Sequence, residues 1–266
     1  MTQRFDEYVN KEKKLFIPFI MTGDPTAEAT IEIALTLQEA GANCIELGIP
    51  YSDPLADGPI IQDAAIRALK NGMTLEKAMK LVPKMRERGL KIPVIAFTYY
   101  NPLMQFGEER FIEEALKNDI DGLLVPDLPF EESGEVADLC LKHGLKYISL
   151  VAPTSKDRIV RIAENAQGFL YCVSSLGVTG TREQFAQNIK EFLETVNRHA
   201  NIPVAVGFGV SKREQVEMLL QYSDGVIIGS AIIKEIAKWN EQLKDDEMRK
   251  EALWHIKRFV LSLISS

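Results

Sequence analysis

A glutamate interrupts an apolar segment of the chain and is followed by two aspartates in a proline-rich loop. Glu46 lies within the strand-like run 44–49, and residues 50–59 contain Asp53, Asp57 and three prolines. Burying an unpaired carboxylate costs so much free energy that the group normally becomes protonated or finds a partner. Carboxyl groups held beside the end of a strand suit proton-transfer chemistry. A structural ion pair inside the protein is the alternative interpretation of Glu46.

Eight short apolar runs recur along the chain and are mostly continuous rather than alternating. Continuous runs are typical of parallel strands that are covered on both faces. The runs are 15–21, 44–49, 94–98, 122–125, 147–151, 169–174, 203–207 and 225–229. Eight such strands, in a chain close to the roughly 250 residues of that fold, predict a closed (β/α)8 TIM barrel. We expect residues 1–266 to form one α/β domain with extra N-terminal and loop helices.

Segments with helical periodicity lie between these runs. They are 26–40, 74–88, 108–118, 132–143, 156–165, 184–200, 212–221 and 247–264, with a short helix at 231–236. A doubly wound open sheet is the alternative, and it would carry a glycine-rich nucleotide turn after its first strand. The first strand ends instead in Thr22-Gly23-Asp24-Pro25, so the closed barrel is favoured.

Composition and charge narrow the possible functions. The 266 residues carry a net charge of −7, which argues against nucleic acid as a partner, because proteins that bind phosphate backbones usually present a basic face. No apolar run approaches the roughly 20 residues of a membrane-spanning helix, and the N-terminal residues lack the apolar core of a signal peptide. The three cysteines show no CxxC spacing, so we expect reduced thiols in a cytoplasmic protein. No His, Cys and carboxylate spacing suggests a metal.

The ends of the predicted strands carry aromatic and polar residues, and ligands bind at these ends in a TIM barrel. Tyr171, on the sixth strand, is either a core aromatic or a donor to the substrate region. Phe97, Tyr99 and Phe208 lie at the ends of the third and seventh strands, and we expect them to line the substrate pocket. No strand carries a lysine that suits Schiff-base chemistry apart from the edge residue Lys146, so aldolase chemistry would proceed by acid–base catalysis.

Glycines at the ends of the last three strands predict a phosphate site. Gly180, Gly209 and Gly229 each follow a strand, and Ser230 begins a short helix. Backbone amides at helix N-termini bind phosphate through unpaired N–H groups and aligned dipoles, and a phosphate site after strands seven and eight is common in this fold. The absence of GxxxxGK[ST] argues against a nucleoside triphosphate. Turns that need glycine for conformational reasons are the alternative.

The chain resembles the tryptophan synthase alpha subunit family most clearly in residues 46–59, which read ELGIPYSDPLADGP. Further motifs extend the resemblance over essentially the whole chain, at 17–19, 22–25, 99–102, 126–129, 177–180 and 207–209. The resemblance implies a lyase of tryptophan biosynthesis. This enzyme cleaves indole-3-glycerol phosphate to indole and glyceraldehyde 3-phosphate.

The same resemblance implies roles for individual residues. It places the general acid and base on Glu46, the contact to the indole nitrogen on Asp57 and an active-site hydroxyl on Tyr171. It places the substrate phosphate at the glycine-rich strand ends. It also implies that Asp53 and Thr179 meet across two loops when the site closes.

The resemblance implies no cofactor in this chain. Pyridoxal phosphate is expected only in the beta subunit, which receives the indole within an α2β2 heterotetramer. Two alternatives stay open: a stand-alone indole-releasing lyase, and a catalytically weak phosphate-binding barrel that serves as a structural or regulatory subunit. Glu46 together with Asp57 argues against the second. The first differs from the heterotetramer in needing no beta subunit for activity.

Overall fold

Short parallel strands form one curved sheet at the centre of the molecule. The computed structural model describes residues 3–173, 182–207 and 209–265. In this described part every pair of neighbouring strands is parallel. The strands are β1 (Leu15–Met21), β2 (Ile45–Gly48), β3 (Val94–Phe97), β4 (Gly122–Leu124), β5 (Lys146–Tyr147), β6 (Leu150–Val151), β7 (Leu170–Val173), β8 (Val204–Gly207) and β9 (Gly225–Ile228).

The sheet closes into a barrel through one interrupted strand. In the order β5-β4-β3-β2-β1-β9-β8-β7-β6, the two end strands are separated in sequence only by Ile148 and Ser149. The Ile148 amide donates to the Leu123 carbonyl of β4 (2.8 Å), and the Ser149 carbonyl accepts from the Tyr171 amide of β7 (3.0 Å). The predicted strand 147–151 is thus two short pieces that pair with opposite neighbours. The predicted eight-stranded TIM barrel is confirmed.

Helices connect the strands and pack on the outside of the barrel. In the described residues they are α1 (Gln3–Tyr8), α2 (Ala27–Glu39), α3 (Pro59–Lys70), α4 (Leu75–Met79), α5 (Leu81–Glu87), α6 (Tyr100–Phe106), α7 (Glu108–Lys117), α8 (Gly134–His143), α9 (Lys156–Asn165), α10 (Arg182–His199), α11 (Arg213–Leu219), α12 (Ser230–Lys238), α13 (Asn240–Lys244) and α14 (Arg249–Ile264). Extra N-terminal and loop helices were expected without bounds; α1 is the N-terminal one, and α3, α6 and α13 lie in connections to which no helix had been assigned. None of these described helices is both long and apolar enough to cross a membrane.

Two helical segments differ from the sequence-based prediction. Residues 74–88 form two helices, and Lys80 ends α4 and precedes α5. The proline-rich loop predicted at residues 50–59 is also shorter than predicted, because Pro59 already belongs to the first turn of α3. Proline suits this position, since its fixed φ matches the helix and an amide there would have no intrahelical partner.

Apolar side chains fill the fold in two layers. Ile45 and Leu47 of β2 face the surrounding helices, whereas their neighbour Glu46 points to the barrel interior. At the N-terminal end of the strands the interior is filled by Phe5 of α1, which is fully buried and packs in one cluster with Phe169. At the opposite end, where the strands finish, the interior remains open as a cavity.

Candidate active site

The cavity at the C-terminal ends of the strands has a volume of about 440 Å³. This volume lies within the range of roughly 300–1,000 Å³ that is usual for small-molecule sites. Its described lining combines apolar side chains from the strands, carboxyl groups and several glycines. Such a mixture of apolar walls and a few polar groups is typical of a site that orients one small ligand.

Glu46 lies buried beside this cavity. In β2 it is level with Phe19 of β1 on one side and Ile95 of β3 on the other. The residue is 1% exposed, and its Oε1 atom has no hydrogen-bond partner among the described residues. Burial raises the pKa of Glu46 to about 8, so the carboxyl group is largely protonated at neutral pH. A structural ion pair would lower this pKa instead, so that interpretation does not fit.

Asp57 lines the same cavity from the connection between β2 and α3. It is half-buried and more exposed than Glu46. Burial raises the pKa of Asp57 to about 6, and the nearby Tyr99 hydroxyl opposes this shift. The Asp57 amide donates to the Pro54 carbonyl (3.1 Å), and the Gln62 side chain donates to the Asp57 carbonyl (2.8 Å). At neutral pH Asp57 is mostly ionised, so the two carboxyl groups differ in protonation.

Tyr171 brings a hydroxyl group to the same cavity. It lies on β7, is half-buried and lines the cavity together with Glu46 and Asp57. Burial, reinforced by the negative charges of these two carboxylates, raises the pKa of Tyr171 well above its ordinary value. The hydroxyl therefore stays protonated and can donate a hydrogen bond. Its exposure to the cavity favours the donor over the core-aromatic interpretation.

Aromatic rings form an apolar wall of the cavity. Phe19 and Phe97 meet edge to face, with ring centroids 5.2 Å apart and planes at 78°. Phe19 occupies its place because residue 48 is a glycine: a Cβ atom on Gly48 would come within 2.5 Å of the Phe19 ring. Ile61 of α3 and Ile227 of β9 extend the wall. This surface suits a flat aromatic ligand.

The glycine-rich strand ends also line the cavity. Gly209 follows β8, with a φ of 62° that favours glycine, and Gly229 immediately precedes α12. Ser230 is the first residue of α12, and the first-turn amides of a helix have no intrahelical partner. These amides and the helix dipole suit an anion. The fourth predicted phosphate residue, Gly180, lies outside the described residues.

Metal ligation finds no support in residues 3–173, 182–207 and 209–265, which contain no cluster of three or more His, Cys, Asp and Glu side chains. His143 and His199 end α8 and α10, and His255 lies within α14. None of them lines the described cavity. The titratable groups available to a ligand there are carboxyl and phenol groups.

The sequence matches the family model described as tryptophan synthase alpha chain over residues 5–259. It is 60% identical over 263 residues to the tryptophan synthase alpha chain of Halalkalibacterium halodurans, with 99% of each chain covered. It is 59% identical over 251 residues to the tryptophan synthase alpha chain of a Geobacillus species, with 94% of this chain and 95% of that one covered. The chain belongs to the tryptophan synthase alpha chain family.

Crystal structures of this alpha-chain family share the fold. The tryptophan synthase complex from Pyrococcus furiosus includes a chain that is 36% identical, with a TM-score of 0.83 over 96% of this chain and 99% of that one. Subunit alpha from Legionella pneumophila is 33% identical, with a TM-score of 0.83 over 98% and 99%. The predicted family is confirmed, and with it the predicted lyase activity on indole-3-glycerol phosphate.

Tyr99, predicted in the substrate pocket, contacts the connection 49–58 between β2 and α3, here called the Asp57 segment, and does not line the described cavity. It is 2% exposed, and its hydroxyl accepts a hydrogen bond from the Ala56 amide (3.0 Å). Its ring packs against that of Tyr51, with centroids 5.5 Å apart. The placement differs from the prediction because Tyr99 follows the end of β3, where strand alternation no longer fixes the direction of a side chain.

The loop-closure pair of this alpha-chain family member is only partly described. Asp53 is exposed, and its carboxylate accepts a hydrogen bond from the Ser52 hydroxyl (2.6 Å). Its predicted partner Thr179 lies outside the described residues, as does the predicted pocket residue Phe208. The structure therefore describes one side of the predicted closure.

Sequence reasoning missed several apolar residues of the cavity, among them Phe19, Ile61, Leu150 and Ile227. A signal was present for Phe19, because it belongs to the motif 17–19 of the family resemblance. In the structure it pairs in register with Glu46, and paired residues of parallel strands face the same side. Ile61 carried no such signal, since no helix was predicted at residues 60–70.

Proposed function

We propose that this cavity binds indole-3-glycerol phosphate, that Glu46 is the general acid and base that cleaves it, and that Asp57 contacts the indole nitrogen. The observation that supports this most strongly is the environment of Glu46. Its carboxyl group is buried, its Oε1 atom has no hydrogen-bond partner in the part of the chain that the structure describes, and it faces the same cavity as Asp57. Two carboxyl groups whose environments separate their pKa values can take different roles in one reaction.

The carbon–carbon bond breaks once indole C3 has become a leaving group. Glu46 donates its proton to C3, and the Asp57 carboxylate stabilises the positive charge that develops at the ring nitrogen. Glu46, now ionised, takes the proton from the hydroxyl group on the substrate carbon next to C3. The bond between that carbon and C3 breaks, and the aldehyde forms. The electron pair of that bond returns to the ring. The products are indole and glyceraldehyde 3-phosphate, and Glu46 has regained its proton.

The remaining cavity residues bind and orient the substrate. The indole ring packs against Phe19 and Phe97, and the Tyr171 hydroxyl donates a hydrogen bond to the glycerol phosphate chain of the substrate. The phosphate lies at the start of α12, where the first-turn amides near Gly229 and Ser230 have no intrahelical partner. The aromatic and anionic parts of the substrate therefore meet different surfaces of one cavity, and this fixes the reacting carbon between them.

The chain is proposed to act with a tryptophan synthase beta subunit, as α2β2, because a family member of similar fold was crystallised as a tryptophan synthase complex. It needs no cofactor of its own, and pyridoxal phosphate belongs to the beta subunit. Leu55, in the Asp57 segment, is 90% exposed and offers an apolar contact at the barrel mouth. The three free, buried cysteines fit a reducing cytoplasm.

The catalytic assignment is tested by measuring indole release by the purified chain. Glu46→Gln should lower kcat by at least about 10²-fold, because general acid–base groups contribute that much, while glycerol 3-phosphate still binds. Glu39→Gln, at the exposed last residue of α2, is the matched control and should retain wild-type activity. If Glu46→Gln keeps most of its turnover, Glu46 is not the acid.

The partner assignment is tested by the same measurement with and without a beta subunit. We expect kcat to rise on addition of the partner, and a 10-fold rise needs only about 1.4 kcal/mol. Asp53→Ala should lose most of that activation while the isolated chain keeps much of its rate. Equal rates with and without the beta subunit would favour a stand-alone lyase.

A further inference from the structure

The loop after β1, residues 22–25, contacts the polypeptide just before the Asp57 segment. The Thr22 hydroxyl donates to the Gly48 carbonyl (2.6 Å), and the Thr22 amide donates to the same oxygen (2.9 Å). Gly48 is the last residue of β2, and Thr22 is fully buried. These bonds fix the point at which the chain leaves the barrel to form the Asp57 segment.

The same loop holds the helix that follows Asp57. Arg67 of α3 donates from Nε and Nη2 to the two carboxylate oxygens of Asp24 (2.7 and 2.9 Å). The Asp24 side chain is 1% exposed, whereas that of Arg67 is 28% exposed. Asn71, which ends α3, donates to the carbonyls of Gly23 (3.0 Å) and Pro25 (2.5 Å). A bidentate pair of this kind fixes orientation as well as distance.

Between these two attachments the chain also contacts the end of β3 and the region after it, because the Ile49 amide donates to the Phe97 carbonyl (2.9 Å) and Asn101 donates to the Tyr51 hydroxyl (2.9 Å). The side chains of Ser52, Asp53, Leu55 and Ala56 are exposed. The bond from the Ala56 amide to Tyr99 is a contact from this stretch to another part of the barrel. Because α3 is a continuous helix that begins just after Asp57, its anchorage determines where the segment ends.

We propose that Asp24 and Arg67 are positioning residues for Asp57, and that with Thr22 they fix both ends of the segment that carries it. The proposal rests on the catalytic role of Asp57 proposed above. Catalytic groups must be held within roughly 0.5 Å of their productive geometry. A displacement of 1 Å caused by a distant change can cost about 10²-fold in rate. Arg67 has no contact with the described cavity and acts through the position of α3.

A double-mutant cycle on kcat separates positioning from simple stabilisation. Arg67→Met is measured in the wild type and in Asp57→Asn, at a temperature where all four proteins are folded. If Arg67 acts through Asp57, kcat falls about 10-fold or more in the wild type but less than about 3-fold in Asp57→Asn. The dissociation constant of glycerol 3-phosphate should change less than about 3-fold. Arg67→Lys, which keeps the charge, should recover part of the loss.

A surface ion pair gives the matched control. Lys257 of α14 and Glu39 of α2 pair at 2.9 Å and, like Asp24 and Arg67, join two separate elements. Lys257→Met should leave kcat unchanged in both backgrounds. An equal loss with Lys257→Met would mean that any inter-element pair has this effect, and would overturn the proposal.

Three further outcomes are decisive. Equal losses from Arg67→Met in both backgrounds would show that the Asp24 pair only stabilises the fold, and the positioning role would be overturned. An unchanged kcat in Asp57→Asn alone would remove the catalytic role of Asp57 and the positioning role with it. If Arg67→Met does not fold, kcat is compared in the same two backgrounds for the milder changes Arg67→Lys and Thr22→Val. Losses from either change that disappear in the Asp57→Asn background would support the proposal.

Discussion

The Gly207 backbone lies directly against the ring of Tyr171, and a Cβ atom on Gly207 would stand 2.6 Å from the tyrosine hydroxyl oxygen. The two residues lie on neighbouring strands, where Tyr171 is level with Ala205. A heavy atom at that distance would overlap the phenol, so any side chain at 207 must displace it. Glycine at this position therefore lets the hydroxyl reach the cavity.

Gly207→Ala is expected to move Tyr171 and lower kcat/KM by about 10-fold, with a loss of roughly 1–3 kcal/mol in the free energy of unfolding from overpacking. Indole release and urea denaturation measure the two effects. Gly134→Ala is the control, because a Cβ atom there meets nothing within 4 Å. Wild-type kinetics in Gly207→Ala would show that the position of Tyr171 does not matter to the reaction.

The raised pKa of Glu46 predicts a pH-dependent stability. Its folded value is about 8 against an unfolded value of 4.5, so the unfolded chain releases this proton first as pH rises. The contribution of the Glu46 carboxyl group to the free energy of unfolding is complete below pH 4.5 and is lost progressively up to about pH 8. Between pH 5 and 8 the wild type should lose about 3 kcal/mol relative to Glu46→Gln. Urea denaturation at both pH values measures this difference. Equal changes in the free energy of unfolding of the two proteins between pH 5 and 8 would contradict the raised pKa of Glu46.

The two carboxyl groups predict a bell-shaped dependence of kcat/KM on pH. Activity should rise as Asp57 ionises, with a pKa of about 6, and fall as Glu46 loses its proton, with a pKa of about 8. Asp57→Asn should flatten the acidic limb of the remaining activity and leave the alkaline limb in place. A profile that keeps its acidic limb in this variant would assign that limb to another group.

Ser230→Asp tests the phosphate site. A carboxylate at the start of α12 should repel the substrate phosphate, and KM should rise more than kcat falls. Ser262→Asp, at an exposed position of α14, adds the same charge away from the cavity and should leave KM unchanged. Hydrogen exchange in the presence of glycerol 3-phosphate should protect the amides near Gly209 and Ser230. An unchanged KM in a folded Ser230→Asp variant would place the phosphate elsewhere.

The local sequence was sufficient to predict those strands and helices that depend only on residues close together in the chain. Continuous apolar runs predicted the strands to within a few residues, because a strand buried on both faces must be apolar throughout. The helix expected at 74–88 is two helices, since their boundary at Lys80 depends on packing that periodicity does not record. Helix α3 was missed because proline in a sequence indicates a turn as readily as a first helical turn.

The sequence by itself determined the kind of chemistry. Its signature places a glutamate inside a buried strand and an aspartate after it, and any parallel barrel brings such residues to one end. Only the tertiary structure decided how these groups behave. The absence of a described partner for Glu46 Oε1 and the pairing of Asp24 with Arg67 both depend on residues distant in sequence. Burial and hydrogen bonding follow from three-dimensional contacts, and these contacts set the pKa values and positions that catalysis needs.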